Sequence, residues 1–149
     1  MILIAHRGNT NGPSDKENSP EYIIETLAKG YYVEVDVWKI GEELFLGHDK
    51  GEYLIDVSFL KSDLKIICHA KTPETLEFLL KHNIHCFFHD KDECVLTSKG
   101  LIWTYPGKSL TDISICVMPE WENPELKKDF VLKCYEKCYG ICSDWISKL

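Results

Sequence analysis

Short apolar runs alternate with helix-patterned segments along the whole chain, and this alternation limits what it can fold into. Residues 2–5, 32–38, 64–68, 84–88, 101–105 and 113–118 read as strands, with Gly140–Ser143 as the last. Residues 42–46 read as a shorter strand and 55–60 as a short helix. Ser19-Pro20 opens a helix, with Ser at the N-cap, Pro in the first turn and Glu21 near the positive end of the dipole. Ile23, Ile24 and Leu27 form its apolar face, and Gly30 stops it. Thr72-Pro73-Glu74 begins another helix, with Leu76, Leu79 and Leu80 inward, and Asn123-Pro124-Glu125 begins a last one that runs to about Lys137. Strands separated by helices imply right-handed crossovers and a mainly parallel sheet.

Polar residues stand at the end of each candidate strand: His6-Arg7, Glu34 and Asp36, His69 and Lys71, His89, Tyr105, Glu120 and Asp144. Barrel enzymes collect their chemistry at that rim. The expected fold is therefore α/β: a compact, abbreviated TIM-type (β/α) barrel, mainly parallel. The 149 residues make one domain, 1–149, short for a barrel of this type. The stretch from Cys94 to Met118 has no room for a helix between its strands, so the barrel must be abbreviated or incomplete. An incomplete barrel exposes sheet edges, which favours pairing of two copies.

Composition narrows the partners. A net charge of −7 disfavours binding to duplex nucleic acid through its phosphates. No apolar run approaches the ~18 residues that cross a bilayer, and no basic amphipathic helix suggests insertion. The seven cysteines are an odd number without a secreted spacing pattern, and the apolar run at Ile2 leads straight into a polar loop, unlike a signal peptide. Free thiols in a reducing cytoplasm are the expectation. Cys134, Cys138 and Cys142 recur every four residues, but the third lies beyond the stop at Gly140, so they read as small buried apolar groups.

Val-Glu-Val-Asp-Val places Glu34 and Asp36 on one strand face, about 7 Å apart, with the valines opposite. Two close carboxylates repel, so one takes a proton or a cation sits between them. A hard divalent ion suits the pair, although alternating charge and Val also describes a solvated strand face. In His6-Arg7-Gly8, Arg supplies a forked donor for phosphate oxygens and His a proton at neutral pH. His48, after Gly47, is a second acid–base candidate, since cleaving a phosphodiester needs one group to take a proton and one to give it. Lys71 can neutralise a phosphoryl oxygen. Trp38, Trp121 and Trp145 read as packing between elements, His82 and His85 as surface.

Taken in order, the segments IAHRG, ENSPEY, KGYYVEVDV and LFLGHD, with the closing GICSDW, resemble the glycerophosphodiester phosphodiesterase family. The likeness is dense over the first third of the chain. It implies a variant (β/α)₈ barrel of the phospholipase C-like superfamily and a place in lipid metabolism. It also implies hydrolysis of glycerophosphodiesters to glycerol 3-phosphate and an alcohol with one divalent cation, Mg²⁺ or Ca²⁺, with Mn²⁺ also admitted. Carried over residue by residue, His6 and His48 are the acid–base pair. Arg7 and Lys71 bind phosphate, Glu34 and Asp36 ligate the metal, and Glu17 orients Arg7 or the cation. The departure is His69, which stands where the family has a metal-binding Glu. Histidine is a poorer ligand for a hard cation. Either the site is weaker, or another carboxylate such as Glu120 completes it, or the ion is softer. Two alternatives stay open: a phospholipase D-like lyase that stops at a cyclic product from lysophospholipids, and a non-catalytic barrel that binds a phosphorylated ligand.

Overall fold

The computed structural model describes residues 1–125, 131, 133, 134 and 136–149. In chain order the elements are β1 (Ile2–His6), α1 (Pro20–Ala28), β2 (Tyr32–Ile40), β3 (Glu43–Leu46), β4 (Tyr53–Ile55), α2 (Val57–Lys61), β5 (Ile66–Ala70) and α3 (Pro73–Lys81). There follow β6 (Cys86–Phe88), β7 (Cys94–Leu96), β8 (Ile102–Thr104), β9 (Ser114–Val117), the single turn α4 (Pro119–Glu122), β10 (Gly140–Ser143) and a 3₁₀ turn, Ile146–Lys148. Parallel pairings run in the order β6-β5-β2-β1-β10-β9-β8. Antiparallel pairings add β3 to β2, β4 to β3 and β7 to β8.

This architecture overturns the expected (β/α) barrel. A mixed ten-stranded sheet curls into a half-barrel, and among the described residues helices are too few to ring it. The physical reason lies in the connections. β2 turns straight back into β3 at Gly41, where φ is +59°, so a hairpin stands where a barrel needs a helix. The 105–113 loop joins two parallel strands without a helix, being too short for the usual crossover of at least about 10–12 residues. The helix expected from Asn123 to about Lys137 is helical at Val131, Lys133 and Cys134 but does not begin at Asn123, which ends a separate turn over Pro119–Glu122; residues 126–130, 132 and 135 lie outside the described residues.

Two apolar layers hold the sheet. On its outer face Val33, Val35, Val37, Ile66, Cys68, Ala70 and Cys86 pack under α1 and α3, against Ile23 and Leu79. Ile24 and Leu80, expected to face inward, are exposed; buried Thr26 takes the place beside Ile23, its hydroxyl donating to the Gly8 carbonyl at 2.8 Å. Leu64 is exposed because β5 starts only at Ile66. On the inner face Ile4, Ile67, Phe87, Trp103, Ile115 and Cys142 form a second cluster. Phe87 of β6 stacks on Trp103 of β8, ring centres 4.5 Å apart, and the Ser98 N–H donates to the Cys86 carbonyl at 2.8 Å. These contacts lean the two ends of the curl together. No helix among the described residues is long and apolar enough to cross a membrane.

His85, just before β6, is half-buried rather than a free surface side chain, with Nε2 3.0 Å from the Thr97 hydroxyl. Burial and then the charge of Lys99 lower it from 6.5 to about 4. The unfolded chain therefore takes up a proton near pH 6.5 that the folded chain refuses until about pH 4. This contribution to stability is complete above pH 6.5 and is lost as pH falls toward 4. Urea midpoints at about pH 8 and about pH 4.5 should differ less in His85→Gln than in the wild type. An unchanged difference would show that His85 does not carry this pH dependence.

Candidate functional site

The site follows from the two-residue period of the strands. One step beyond the inner apolar layer, each curled strand sets a second side chain at its C-terminal end. Ile4 is followed by His6, Tyr32 by Glu34, Ile67 by His69, Phe87 by His89, Trp103 by Tyr105, Ile115 by Val117, and Cys142 by Asp144. The register brings His6 opposite Glu34 and Asp36 opposite His69. All seven second-step residues line one cavity of about 450 Å³, together with Arg7, Glu17 and His48.

Backbone geometry aims several of these groups. Arg7 has φ +52°, and its N–H donates to Glu34 Oε2 at 3.2 Å. Gly8 follows with φ +89°, where a Cβ would lie 2.9 Å from the Tyr22 ring, so the turn packs directly on α1. Gly47 has φ +149°, and a Cβ there would meet the Lys50 carbonyl oxygen at 2.1 Å. That glycine permits the tight turn that presents His48.

His6 and Asp144 form a dyad, with Nδ1 2.8 Å from Oδ1. A carboxylate only accepts, so His6 Nδ1 carries the hydrogen and Nε2 is left toward Glu34, 4.0 Å from Oε2. Burial opposes charge on His6, but the Asp144 hydrogen bond and the Glu34 charge outweigh it and raise the imidazole above its ordinary range. Burial likewise works against charge on Asp144, and the bonds from His6 and Asn9 hold it low. At the other end of the carboxylate pair, His48 Nδ1 lies 3.4 Å from Asp36 Oδ2 and 2.6 Å from Arg7 Nη2. A guanidinium only donates, so the His48 nitrogen accepts from it.

Glu34 and Asp36 are 2% and 1% exposed, yet their surroundings differ. Asp36 meets Arg7 Nε at 3.0 Å, Lys71 Nζ at 3.2 Å, His69 Nδ1 at 3.1 Å and Asn18 Nδ2 at 3.0 Å. Burial opposes its charge, but the nearby imidazoles of His48 and His69 and the charges of Lys71 and Arg7 hold it well below the usual carboxylate range. Among the described residues Glu34 meets the Arg7 N–H and two imidazoles near 4 Å, and burial followed by the charge of Asp36 pushes it up. Ligand atoms of Glu34, Asp36 and His69 all lie within 4.8 Å of one another, so this group can hold a metal ion. A buried, under-compensated Glu34 is the electrostatic feature that such an ion would satisfy.

The other expected site residues divide. Glu17 orients Arg7, its Oε2 3.1 Å from Nη1. Lys71 is turned onto Asp36 and does not line the cavity. Glu120 is outside the metal-competent group: it accepts from the Ser143 hydroxyl and the Asp144 N–H, both at 2.9 Å, and so fixes the residue that orients His6. Trp121, expected to pack between elements, is exposed at the cavity rim. Among the described residues the cysteine stripe forms no metal group: Cys134 and Cys142 are buried, and Cys134 Sγ lies 3.7 Å from Cys116 Sγ.

Sequence reasoning passed over two asparagines. Buried Asn9 donates to both Glu17 Oε1 (2.7 Å) and Asp144 Oδ1 (2.8 Å). Asn18, at φ +62°, clamps Asp36 twice, donating from Nδ2 and accepting the Asp36 N–H at 2.9 Å. Their signal was the polar loop itself, and for Asn18 the tolerance of Asn for the left-handed region. Comparison of the chain with protein-family models, curated proteins and solved structures returned no match.

Proposed function

We propose that the protein is a divalent-cation-dependent phosphodiesterase that cleaves small glycerophosphodiesters to glycerol 3-phosphate and an alcohol. The observation that carries this reading is one imidazole at each end of a buried carboxylate pair: His6 beside Glu34, His48 beside Asp36, both on one cavity. A binding site needs no second acid–base group; cleavage of a diester does.

Glu34, Asp36 and His69 would hold the cation. Bound there, it supplies Lewis-acid polarisation of a phosphoryl oxygen. Two carboxylates suit Mg²⁺ or Ca²⁺, and the imidazole shifts the preference toward Mn²⁺. Arg7, held by Glu17 and Asp36, keeps positive charge beside the phosphate position. With phosphate bound, Arg7 Nη2 turns to it from His48 Nδ1, and that nitrogen takes the proton of the substrate hydroxyl next to the ester, whose oxygen attacks phosphorus. The P–O bond to the alcohol breaks as His6 gives its Nε2 proton to the leaving oxygen, with Asp144 holding the ring. A cyclic phosphate results. In the second half His6 takes a proton from water, which opens the ring, and His48 returns its proton to the departing hydroxyl. The reading carries with it a small-molecule substrate and a cytoplasmic setting.

The test is release of glycerol 3-phosphate from a panel of glycerophosphodiesters. Chelator should abolish it, and added Mg²⁺ or Mn²⁺ should restore it. Accumulation of the cyclic phosphate alone would make the protein a lyase. Silence across the panel from folded, cation-loaded protein would overturn the hydrolase reading.

A further inference from the structure

The wall of the cavity opposite the acid–base groups is built of rings. Trp103 stacks on Phe87 at 4.5 Å between ring centres, Phe87 on His69 at 4.9 Å, His69 tilts against His89 at 5.6 Å, and His89 stacks on Tyr105 at 4.1 Å. The series starts in the apolar floor, passes through the imidazole that meets Asp36 at 3.1 Å, and ends at the rim. Trp121, 65% exposed, stands at the same mouth.

The two halves of the cavity therefore differ in chemistry. β1, β2 and β10 contribute His6, Glu34 and Asp144, whereas β6, β8 and β9 contribute Phe87, Trp103, Tyr105 and Val117. A polyol would ask this second wall for several hydrogen-bond partners, and an ammonium headgroup, though drawn to ring faces, for a carboxylate to balance its charge. Among the described residues the wall offers rings and methyl groups, with polar atoms only on His89, Tyr105 and the indoles and no carboxylate. Ring faces gain most from a flat, polarizable partner, by offset stacking. A large aromatic side chain left exposed at a cavity mouth is also a feature that ligand sites use.

We propose that the ring wall is the subsite for a planar aromatic group on the ester arm of the substrate, so that the favoured substrates are phosphodiesters of ring-bearing alcohols. This rests on the phosphodiesterase reading for the phosphate position, and it adds the class of leaving group. The phosphate lies toward His6, Arg7 and His48, and the ring extends from it along Tyr105 and His89 toward Trp121.

Binding of product-like monoesters tests the subsite separately from turnover. The full chain, with Mn²⁺ present, is titrated with phenyl phosphate, glycerol phosphate and inorganic phosphate, followed by tryptophan fluorescence and calorimetry. Phenyl phosphate should bind about tenfold more tightly than glycerol phosphate, the gain expected of one stacked ring. Tyr105→Phe should keep that preference and Tyr105→Ala should lose it, with thermal melts showing that both fold. Trp121→Ala, at an exposed position where folding is not at stake, should lose part of it. Equal affinity for the two monoesters, or a preference that survives Tyr105→Ala, would overturn the proposal. If no phosphate binds, the anion half fails and the inference falls with it. If phenyl phosphate is preferred while no diester is cleaved, the subsite stands and the hydrolase reading falls.

Discussion

His6→Gln should slow cleavage of a glycerophosphodiester with an alkyl leaving group by about 10³-fold, the scale on which a positioned proton donor acts. The same variant should release p-nitrophenol from the corresponding glycerophosphodiester in its first turnover less than about tenfold more slowly, because that anion departs without being protonated. His48→Gln should lose about 10³-fold on both substrates, since removal of the attacking hydroxyl's proton is needed whichever group leaves. The split follows from the surroundings of the two rings. The Asp144 bond and the Glu34 charge favour the charged form of His6, whose inward Nε2 then holds a proton to give, while the Arg7 guanidinium meets His48 at a nitrogen that accepts. The double variant should fall little below the slower single one, because the two groups act as a unit. Equal losses on both substrates for His6→Gln would reverse or remove its assignment as acid. Near wild-type rates in either variant would sink the two-histidine mechanism.

How far the sequence led is clearest along β2. The alternation Val33-Glu34-Val35-Asp36-Val37 separates a core face from a site face by period alone, and both faces form; the near-complete burial of the two carboxylates is not something the period reports. The same step of two carries Ile67 to His69 and Cys142 to Asp144, so the cavity lining is legible from period alone even where the strand connections are not. What period two does not encode is the direction of a neighbouring strand. β3 and β7 pair antiparallel, and nothing in Leu-Phe-Leu or Cys-Val-Leu distinguishes that from a parallel partner. The helix signals at Ser19-Pro20 and Thr72-Pro73 were genuine, but two well-marked helices do not make a ring of eight. The long-range bonds were also hidden. Asn9 serves Asp144 from the far end of the chain, and Asn18 serves Asp36 only because its backbone enters the left-handed region. Both depend on the pairing of β1 with β10 and β2, which local pattern does not report.

Asp36→Ala should destabilise the fold by about 3–5 kcal/mol, the effect of removing one partner from a buried charge network. Arg7, Lys71 and His69 converge on this carboxylate at 3.0–3.2 Å, and their side chains are no more than 18% exposed. Without Asp36 they face one another in a site with little water to separate them, and Asn18 loses the acceptor for its Nδ2 as well. Glu34 lies two residues away at nearly the same burial, but its replacement should behave differently. Its charge is poorly compensated and already pushed toward protonation, so Glu34→Gln removes a burden along with a partner. Its change in stability should stay within about 1 kcal/mol of zero. Urea unfolding of the two variants and the wild type, without added cation, measures the contrast. With Mn²⁺ added, the wild type should gain stability by mass action, whereas Glu34→Gln should gain far less. Equal losses for the two substitutions would mean that the charges of Arg7 and Lys71 are spread over both carboxylates. An Asp36→Ala loss below about 1 kcal/mol would mean that water, not Asp36, compensates them.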